Sequence, residues 1–568
     1  MRIDRLFVLI LFFTLLIHAG AWAQDTKLVN WQVSIDGGKT FQPIVVPGTI
    51  EDQIQIDFDG VSIYQTSLPH QSLGIKQRLL LRFAAVATHA KVFIDDVFVA
   101  EHLGGWTPFT VEITQFMRKA QDDKPLVLKV VVDEKVGHNT QGFLPIVTNH
   151  FGGIWQPVTL RVEHDSFLIE DAISIVPNLA NNSITLELPF SKRKNEQVQP
   201  AISLGLIPKG RSELPSTVGV NCEFKSHVSK SYVLAQDDEA FENVVLKGTF
   251  KVPFSLQKWS PENPQRYLLK VSAAEDELSL VFAARQFTVN DRAFLLNGMP
   301  YGIRGILNWG YAPPSVAPSL DETWMRQEIQ VAKDRGFNLM KFCLWIPPKR
   351  YLELCDELGM LAWIEYPTWH PQLDQKHLEE LRREYAEFFE FDRNHASVVL
   401  RSLTCETGPS ADLEVIRSLY EQCKSAIPGA VVEDDSSWIS WNRIHDFYDD
   451  HPYGNNHTWV ATLDKLKKYI AERTPKPLAL GEAIAADTWT VPSVENLAYA
   501  KENPAHGPWA VADNKRWQKM IASLANARGR EFNENSLKRQ SENYGMLMRK
   551  FQIEVFQREV PHGAYVVS

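Results

Sequence analysis

Asn394-His395-Ala396-Ser397-Val398-Val399-Leu400-Arg401-Ser402-Leu403-Thr404-Cys405-Glu406 is the stretch on which the fold turns. An Asn-His turn signal leads into a short, mostly apolar run from Val398 to Leu403. That pattern predicts a strand buried on both faces, as in a parallel sheet covered by helices. It delivers a carboxylate, Glu406, to its C-terminal mouth. Pro477-Leu478-Ala479-Leu480-Gly481-Glu482 repeats the arrangement. Two strand-end acids in an α/β chain point to a paired-carboxylate site.

Around these two stretches, strands alternate with helices in the manner of βαβ units. Strands are expected near Tyr301–Leu307, Leu339–Leu344, Leu361–Glu365, Val398–Leu403, Ala430–Val432, Asp446–Asp449, Leu478–Leu480 and Ala564–Val567. Ser319 and Glu322 have capping-box spacing ahead of Met325, Ile329 and Ala332, which share a helical face, and Gly336 closes that helix. Eight parallel strands within residues 291–568 match the size of a (β/α)8 TIM barrel, which takes about 250 residues. The chain stops at Ser568, inside or just after the eighth strand, so the barrel is expected to be truncated there.

Upstream the grammar is all β. Residues 24–165 carry short β-rich runs separated by Gly, Pro and Asp, the spacing of a jelly-roll sandwich. Residues 166–290 alternate in Ile184, Leu186 and Leu188 and in Tyr267, Leu269 and Val271, and their size fits an immunoglobulin-like β-sandwich. Trp106 and Trp155, in glycine-rich turns, are expected to fill the first core rather than to touch sugar. Trp259-Ser260-Pro261-Glu262-Asn263-Pro264 reads as a rigid structural turn.

A net charge of −10 argues against nucleic acid as a partner. Residues 1–23 have two arginines, an apolar run and Ala21-Trp22-Ala23, so a secretory signal and an exported, periplasmic or extracellular protein are expected. No later apolar stretch is long enough to span a membrane in the mature chain. The five cysteines are odd in number and widely spaced, as buried thiols would be. His445, His451 and His457 lack the helical spacing of a zinc enzyme, so no metal and no cofactor are expected. Serine-esterase elbows, phosphate loops and dinucleotide fingerprints are likewise missing from the sequence.

In such a barrel Glu406 follows the fourth strand and Glu482 the seventh, facing one mouth. Two carboxyl groups across a cleft suit glycosidic bond cleavage, one protonating the leaving oxygen while the other attacks the anomeric carbon or activates water. Trp309, Trp345 and Trp369 follow the first three strands and either stack on sugar faces or pack the loops. Glu365, a third strand-end acid, reads as a hydrogen-bonded structural carboxylate.

The order of these modules, with Gly104-Gly105-Trp106-Thr107-Pro108-Phe109, Gly153-Ile154-Trp155-Gln156-Pro157-Val158, the Trp259 turn, Phe294-Leu295-Leu296-Asn297-Gly298 and Leu354-Cys355-Asp356-Glu357-Leu358-Gly359, resembles glycoside hydrolase family 2. That family includes β-galactosidases, β-glucuronidases and β-mannosidases. The resemblance implies a retaining exo-β-glycosidase acting on carbohydrate, with Glu406 as acid/base and Glu482 as nucleophile. It also implies that His451 and Tyr453 sit near the nucleophile and hydrogen-bond it, while Trp309 and Trp369 are candidate sugar contacts from their places after the barrel strands. Three positions depart from the family pattern: Cys405 stands where the family has Asn, Lys341 where Arg is common, and Arg401 where Trp is usual. A thiol is a weak hydrogen-bond partner and an ammonium lacks the planar guanidinium fork. The alternative expectation is therefore a weak or inactive carbohydrate-binding protein on the same architecture.

Overall fold

The computed structural model describes residues 25–568 except 121–123, 148–149, 209–214, 236–239, 314, 370, 409–410, 487–518, 521, 525 and 530–532. The expected signal segment, residues 1–23, and Asn514-Lys515, too short a match to a carboxylate-reading motif, lie outside the described residues.

The N-terminal part is a pair of facing antiparallel sheets. Six strands run in the order Gln42–Val45, Asn30–Ser34, Val61–Ser67, Val127–Asp133, His89–Ile94 and Val97–Leu103. Opposite them stand Thr26–Lys27, Val158–His164, Gln77–Phe83 and Phe109–Glu112. Alternation places Leu128, Val130 and Val132 inward, where they meet Leu79 and Leu81 in one apolar core. Trp106 and Trp155 are fully buried and pack edge to face, 5.6 Å between centroids, so both serve the core. A second pair of antiparallel sheets, from Phe167 to Phe282, closes on Ile184, Leu186, Leu188, Leu269 and Val271, the residues whose alternation marked its strands.

Past a small antiparallel sheet of Phe287–Val289, Phe294–Leu296 and Met299–Pro300, eight strands form one parallel sheet: β1 (Ile303–Asn308), β2 (Leu339–Phe342), β3 (Leu361–Glu365), β4 (Val398–Cys405), β5 (Val431–Ser436), β6 (Tyr448–Asp450), β7 (Leu478–Ala483) and β8 (Ala564–Val567). Their spatial order is β5-β4-β3-β2-β1-β8-β7-β6, every pair parallel. Among the described residues, β5 meets the segment just before β6 through an isolated antiparallel Glu433–His445 bridge, so the barrel is nearly closed. All eight strands fall within a few residues of their expected places. β8 pairs with β1 and β7, and Ala564, Tyr565 and Val566 are buried.

Among the described residues, helices α1 (Glu322–Asp334), α2 (Lys349–Leu358), α3 (Leu378–Asp392), α4 (Leu413–Ala426), α5 (Asn456–Ala471) and α6 (Glu534–Glu559) accompany the strands. The start of α1 differs from expectation. Asp321, not Ser319, caps it by accepting from the Thr323 N–H, while Ser319 Oγ accepts from the Asp321 N–H one step earlier. An aspartate in extended backbone next to the first turn offers a charged acceptor and wins the cap.

The Trp259 turn and the α2 end belong together. Trp259 Nε1 donates to the Asp356 carbonyl at 2.9 Å, and Gly359, at φ 72°, lies so near Pro261 that a Cβ would sit 2.3 Å from its carbonyl oxygen. Only glycine combines that left-handed backbone with that approach.

Candidate active site

Both acids reach the C-terminal mouth of the barrel. Glu482 lies within β7, its side chain nearly buried, and Glu406 follows β4 with its side chain about a quarter exposed. Glu406 adopts φ 49°, a left-handed backbone uncommon for a side chain of its size. Leu344, just past β2, and Ile484, just past β7, share that strain at φ 59° and 60°. Three strained non-glycine residues on one rim mark a place where geometry is over-determined by its surroundings.

His451, fully buried in the loop after β6, joins the two acids. Its Nδ1 lies 3.2 Å from Glu406 Oε1 and 3.9 Å from Glu482 Oε2. Its Nε2 lies 3.1 Å from Ser436 Oγ and 3.6 Å from Asp449 Oδ2. Burial alone would lower its pKa, but hydrogen bonds to Asp449 and Glu406, with the charges of Asp449 and Glu482, push it up to about 10. A protonated imidazole donates from both nitrogens. One oxygen of Glu406, one nitrogen of His451 and one oxygen of Glu482 all lie within 4.8 Å of one another.

Tyr453, half exposed, donates its hydroxyl to Glu482 Oε2. Beneath Glu482 lies a second charged layer. Lys341 Nζ, on β2, pairs with Glu365 Oε2 at 2.6 Å, donates to Ser436 Oγ at 2.7 Å and to the Gly481 carbonyl at 3.3 Å. Burial opposes its charge, yet Glu365 and Glu482 hold the ammonium well above the ordinary lysine range. Cys343 Sγ bonds Glu365 Oε1 at 2.9 Å and approaches Glu482 Oε1 at 3.5 Å. Gly481 permits the closeness of this packing, because a Cβ there would lie 2.4 Å from Asp449 Oδ2, while the Gly481 N–H donates to Asp449 Oδ1 at 2.6 Å.

The residues named from sequence separate into two depths. Glu406, Glu482, His451 and Tyr453 are in mutual contact. Lys341 has no exposed surface, and its donors are taken by protein groups one layer below. Cys405, the last residue of β4, is buried against Cys343 and Leu344, with Trp309 and Trp369 packed over them. Burial pushes its thiol well above the ordinary range, so it stays neutral. Trp345 turns inward, donates to the Asn308 carbonyl at 2.8 Å and packs on Phe342 and Tyr351. Arg401 faces the helices instead of the mouth, paired with Asp392 of α3 at 2.7 Å. Strand alternation sends Arg401 outward, while Ser402 accepts from Trp363 Nε1 at 2.6 Å and donates to Glu433 at 2.5 Å.

Sequence reasoning missed Phe143. Carried by the N-terminal part, it lies 4.6 Å from Trp309 and 5.3 Å from Trp369, centroid to centroid. Its loop is fastened by Trp106 Nε1, which donates to the Gln141 carbonyl at 3.2 Å, and by the Gln372 N–H, which donates to Asn139 at 2.8 Å. Nothing local to residue 143 signals a contact some 165 positions downstream. Ser436 and Asp449 were also missed as partners, though Asp449 opens the Asp-Asp-His-Pro-Tyr-Gly run.

Two sets of groups have the proximity of metal ligands: Glu406, His451 and Glu482, and Cys343, Glu365 and Glu482. The first contains a protonated imidazole, and the second is already neutralised by Lys341. A protonated imidazole cannot ligate a metal, and in the second set Lys341 already supplies the positive charge that an ion would bring to Glu365.

Residues 287–490 match the family model of the TIM barrel domain of glycosyl hydrolases family 2. A β-galactosidase of Thermoanaerobacter pseudethanolicus is 25% identical over 391 residues, covering 63% of this chain and 50% of that protein. A β-glucuronidase of Bacteroides fragilis is 23% identical over 450 residues, covering 73% and 61%. The chain thus spans about half the length of the first curated relatives it matches. In structure, it is similar to a β-galacturonidase of that family from Eisenbergiella tayi, with TM-score 0.66, 19% identity and 84% of each chain covered. It is also similar to a β-glucuronidase from an uncultured Clostridium, with TM-score 0.69, 17% identity, and 100% and 93% covered. The barrel that carries Glu406 and Glu482 thus matches the TIM barrel domain of glycosyl hydrolases family 2 over residues 287–490.

Proposed function

We propose that the chain is a retaining exo-β-glycosidase that removes terminal β-linked sugars from oligosaccharides or glycoconjugates. The observation that carries this reading is the proximity of Glu406 and Glu482, oxygen to oxygen within 4.8 Å, at the mouth of a parallel barrel. Retaining enzymes hold their two carboxyl groups about 5–5.5 Å apart, and inverting ones about 6.5–9.5 Å. The names of the β-galactosidase and β-glucuronidase relatives support the substrate class.

Glu482 attacks the anomeric carbon as the glycosidic C–O bond breaks, and the leaving oxygen takes the proton of Glu406. Water then gives a proton to Glu406 and attacks the same carbon, releasing Glu482. The Tyr453 hydroxyl and the His451 cation hold Glu482 in place for attack, and His451 also orients Glu406. Phe143, Trp309 and Trp369 offer ring faces for a sugar or its aglycone. In this reading residues 24–165 are a jelly-roll, sugar-binding-like domain and 166–290 an immunoglobulin-like one. They carry the barrel of 291–568, and residues 1–23 direct export to the periplasm or beyond.

The neutral thiol of Cys405 beside the acids favours the second reading, carbohydrate binding without efficient turnover. A panel of aryl β-galactoside, glucuronide, mannoside and glucoside separates the two. Turnover of one substrate, abolished by Glu482→Gln, is expected; binding of sugar without turnover of any would overturn the enzymatic reading.

A further inference from the structure

The N-terminal sandwich buries acids and hydroxyls without partners. Glu51 lies in the short helix Ile50–Ile54, capped by Thr49. Glu134 follows the strand Val127–Asp133, whose partner strand Val61–Ser67 carries Ser62 and Tyr64 on its inner face. All four side chains are buried, Ser62 and Tyr64 completely. Both oxygens of Glu51, both of Glu134, Ser62 Oγ and Tyr64 Oη lack a hydrogen-bond partner among the described residues.

These groups converge on one segment. A Cβ on Gly152 would lie 1.6 Å from Glu134 Oε2, and one on Gly153 would lie 2.2 Å from Tyr64 Oη, so the two oxygens hang over adjacent glycines. The Gly48 N–H donates to the Ile154 carbonyl at 3.2 Å, which brings the Glu51 helix against the same turn. Burial pushes Glu51 up to about 8, and burial with the charge of Glu51 pushes Glu134 well above the carboxylate range.

Two carboxylates buried side by side without a counter-charge are costly, and a natural core satisfies such groups. Among the described residues, Glu51 and Glu134 have no protein cation within hydrogen-bonding reach. The available donors are all oxygen, from two carboxyl groups and two hydroxyls. That set suits a hard divalent cation, and calcium, which accepts irregular arrangements of six to eight oxygens, suits it better than magnesium with its strict octahedron. We infer that Glu51, Glu134, Tyr64 and Ser62 form a calcium site inside the N-terminal sandwich, separate from the barrel acids. The ion would tie the Ile50–Ile54 helix, two strands and the Gly152-Gly153 turn into one unit.

The test uses the full chain, stripped with a chelator and returned to buffer with calcium chloride or magnesium chloride alone. Metal analysis after desalting is expected to find one calcium per chain. Calcium at about a hundred times its Kd is expected to raise the melting temperature by roughly 5 °C or more. The near-isosteric double variant Glu51→Gln/Glu134→Gln is expected to lose both the ion and the response. Should that variant fail to fold, Glu134→Gln alone and the stripped wild-type chain decide. A wild-type chain that retains no ion and ignores both salts overturns the site. So does full calcium retention in a folded variant, which would place the ion elsewhere. A melting temperature that rises only as pH falls below 8 overturns it too, since the two carboxyls would then share a proton.

Discussion

Lys341 Nζ and Glu365 Oε2 lie 2.6 Å apart with neither side chain exposed to solvent. The pair forms the floor of the site. Through Ser436 the ammonium reaches Asp449 and His451, and through Cys343 the carboxylate reaches Glu482. Lys341→Met removes the cation and leaves Glu365 buried and unpaired. Breaking such a pair costs about 3–5 kcal/mol. Urea unfolding of the variant is expected to show a loss of that order; a loss below about 1 kcal/mol would mean that Glu365 finds another partner.

His451 gives the site a pH signature. Its folded pKa, about 10, lies above the ordinary imidazole value of 6.5, so the folded state holds this proton more tightly. The stabilisation is therefore fully present below pH 6.5 and is lost as pH rises through 10. His451→Gln keeps a neutral donor and removes the titration. The stability difference between wild type and variant is expected to shrink by a few kcal/mol between pH 6.5 and 10. A difference constant across that window would show that the imidazole is neutral in the folded protein.

Phe143 bridges the N-terminal sheets and the barrel, packed against Trp309 and Trp369. Stacking of this kind is worth about 0.5–1.5 kcal/mol. Phe143→Ala is therefore expected to raise KM for an aryl β-glycoside by up to about tenfold, with kcat changed less than about threefold. An unchanged KM would assign the ring to packing alone.

Cys405 is where the proposed glycosidase reading expects a gain. An amide there would offer a stronger hydrogen-bond donor than the buried thiol, and in that reading its bond to a sugar hydroxyl strengthens in the transition state. Cys405→Asn is expected to raise kcat/KM by about tenfold, equivalent to about 1.4 kcal/mol. Lower or equal activity would show that the thiol is matched to the substrate as it stands.

Much of the barrel was legible because a parallel strand buried on both faces writes a continuous apolar run, as Val398–Leu403 and Leu361–Glu365 do. The acids were legible for the same reason: a carboxylate ending such a run has few structural explanations. The α1 cap was misread because Ser319 and Asp321 both offer acceptors, and two residues of backbone decide between them. The outward turn of Arg401 follows from the parity of β4, which a list of motif departures ignores. Phe143 and the Lys341–Ser436–Asp449 chain were not legible, since they join segments brought together only by the fold.

The central assignment is that Glu482 attacks the sugar. An activated aryl glycoside of the preferred sugar, fluorinated beside the anomeric carbon, slows breakdown of a glycosyl-enzyme long enough for peptide mass mapping. The expected result is a single sugar adduct per chain, on the peptide containing Glu482 and absent from Glu482→Gln. An adduct on another residue, or undiminished turnover by Glu482→Gln, would contradict it.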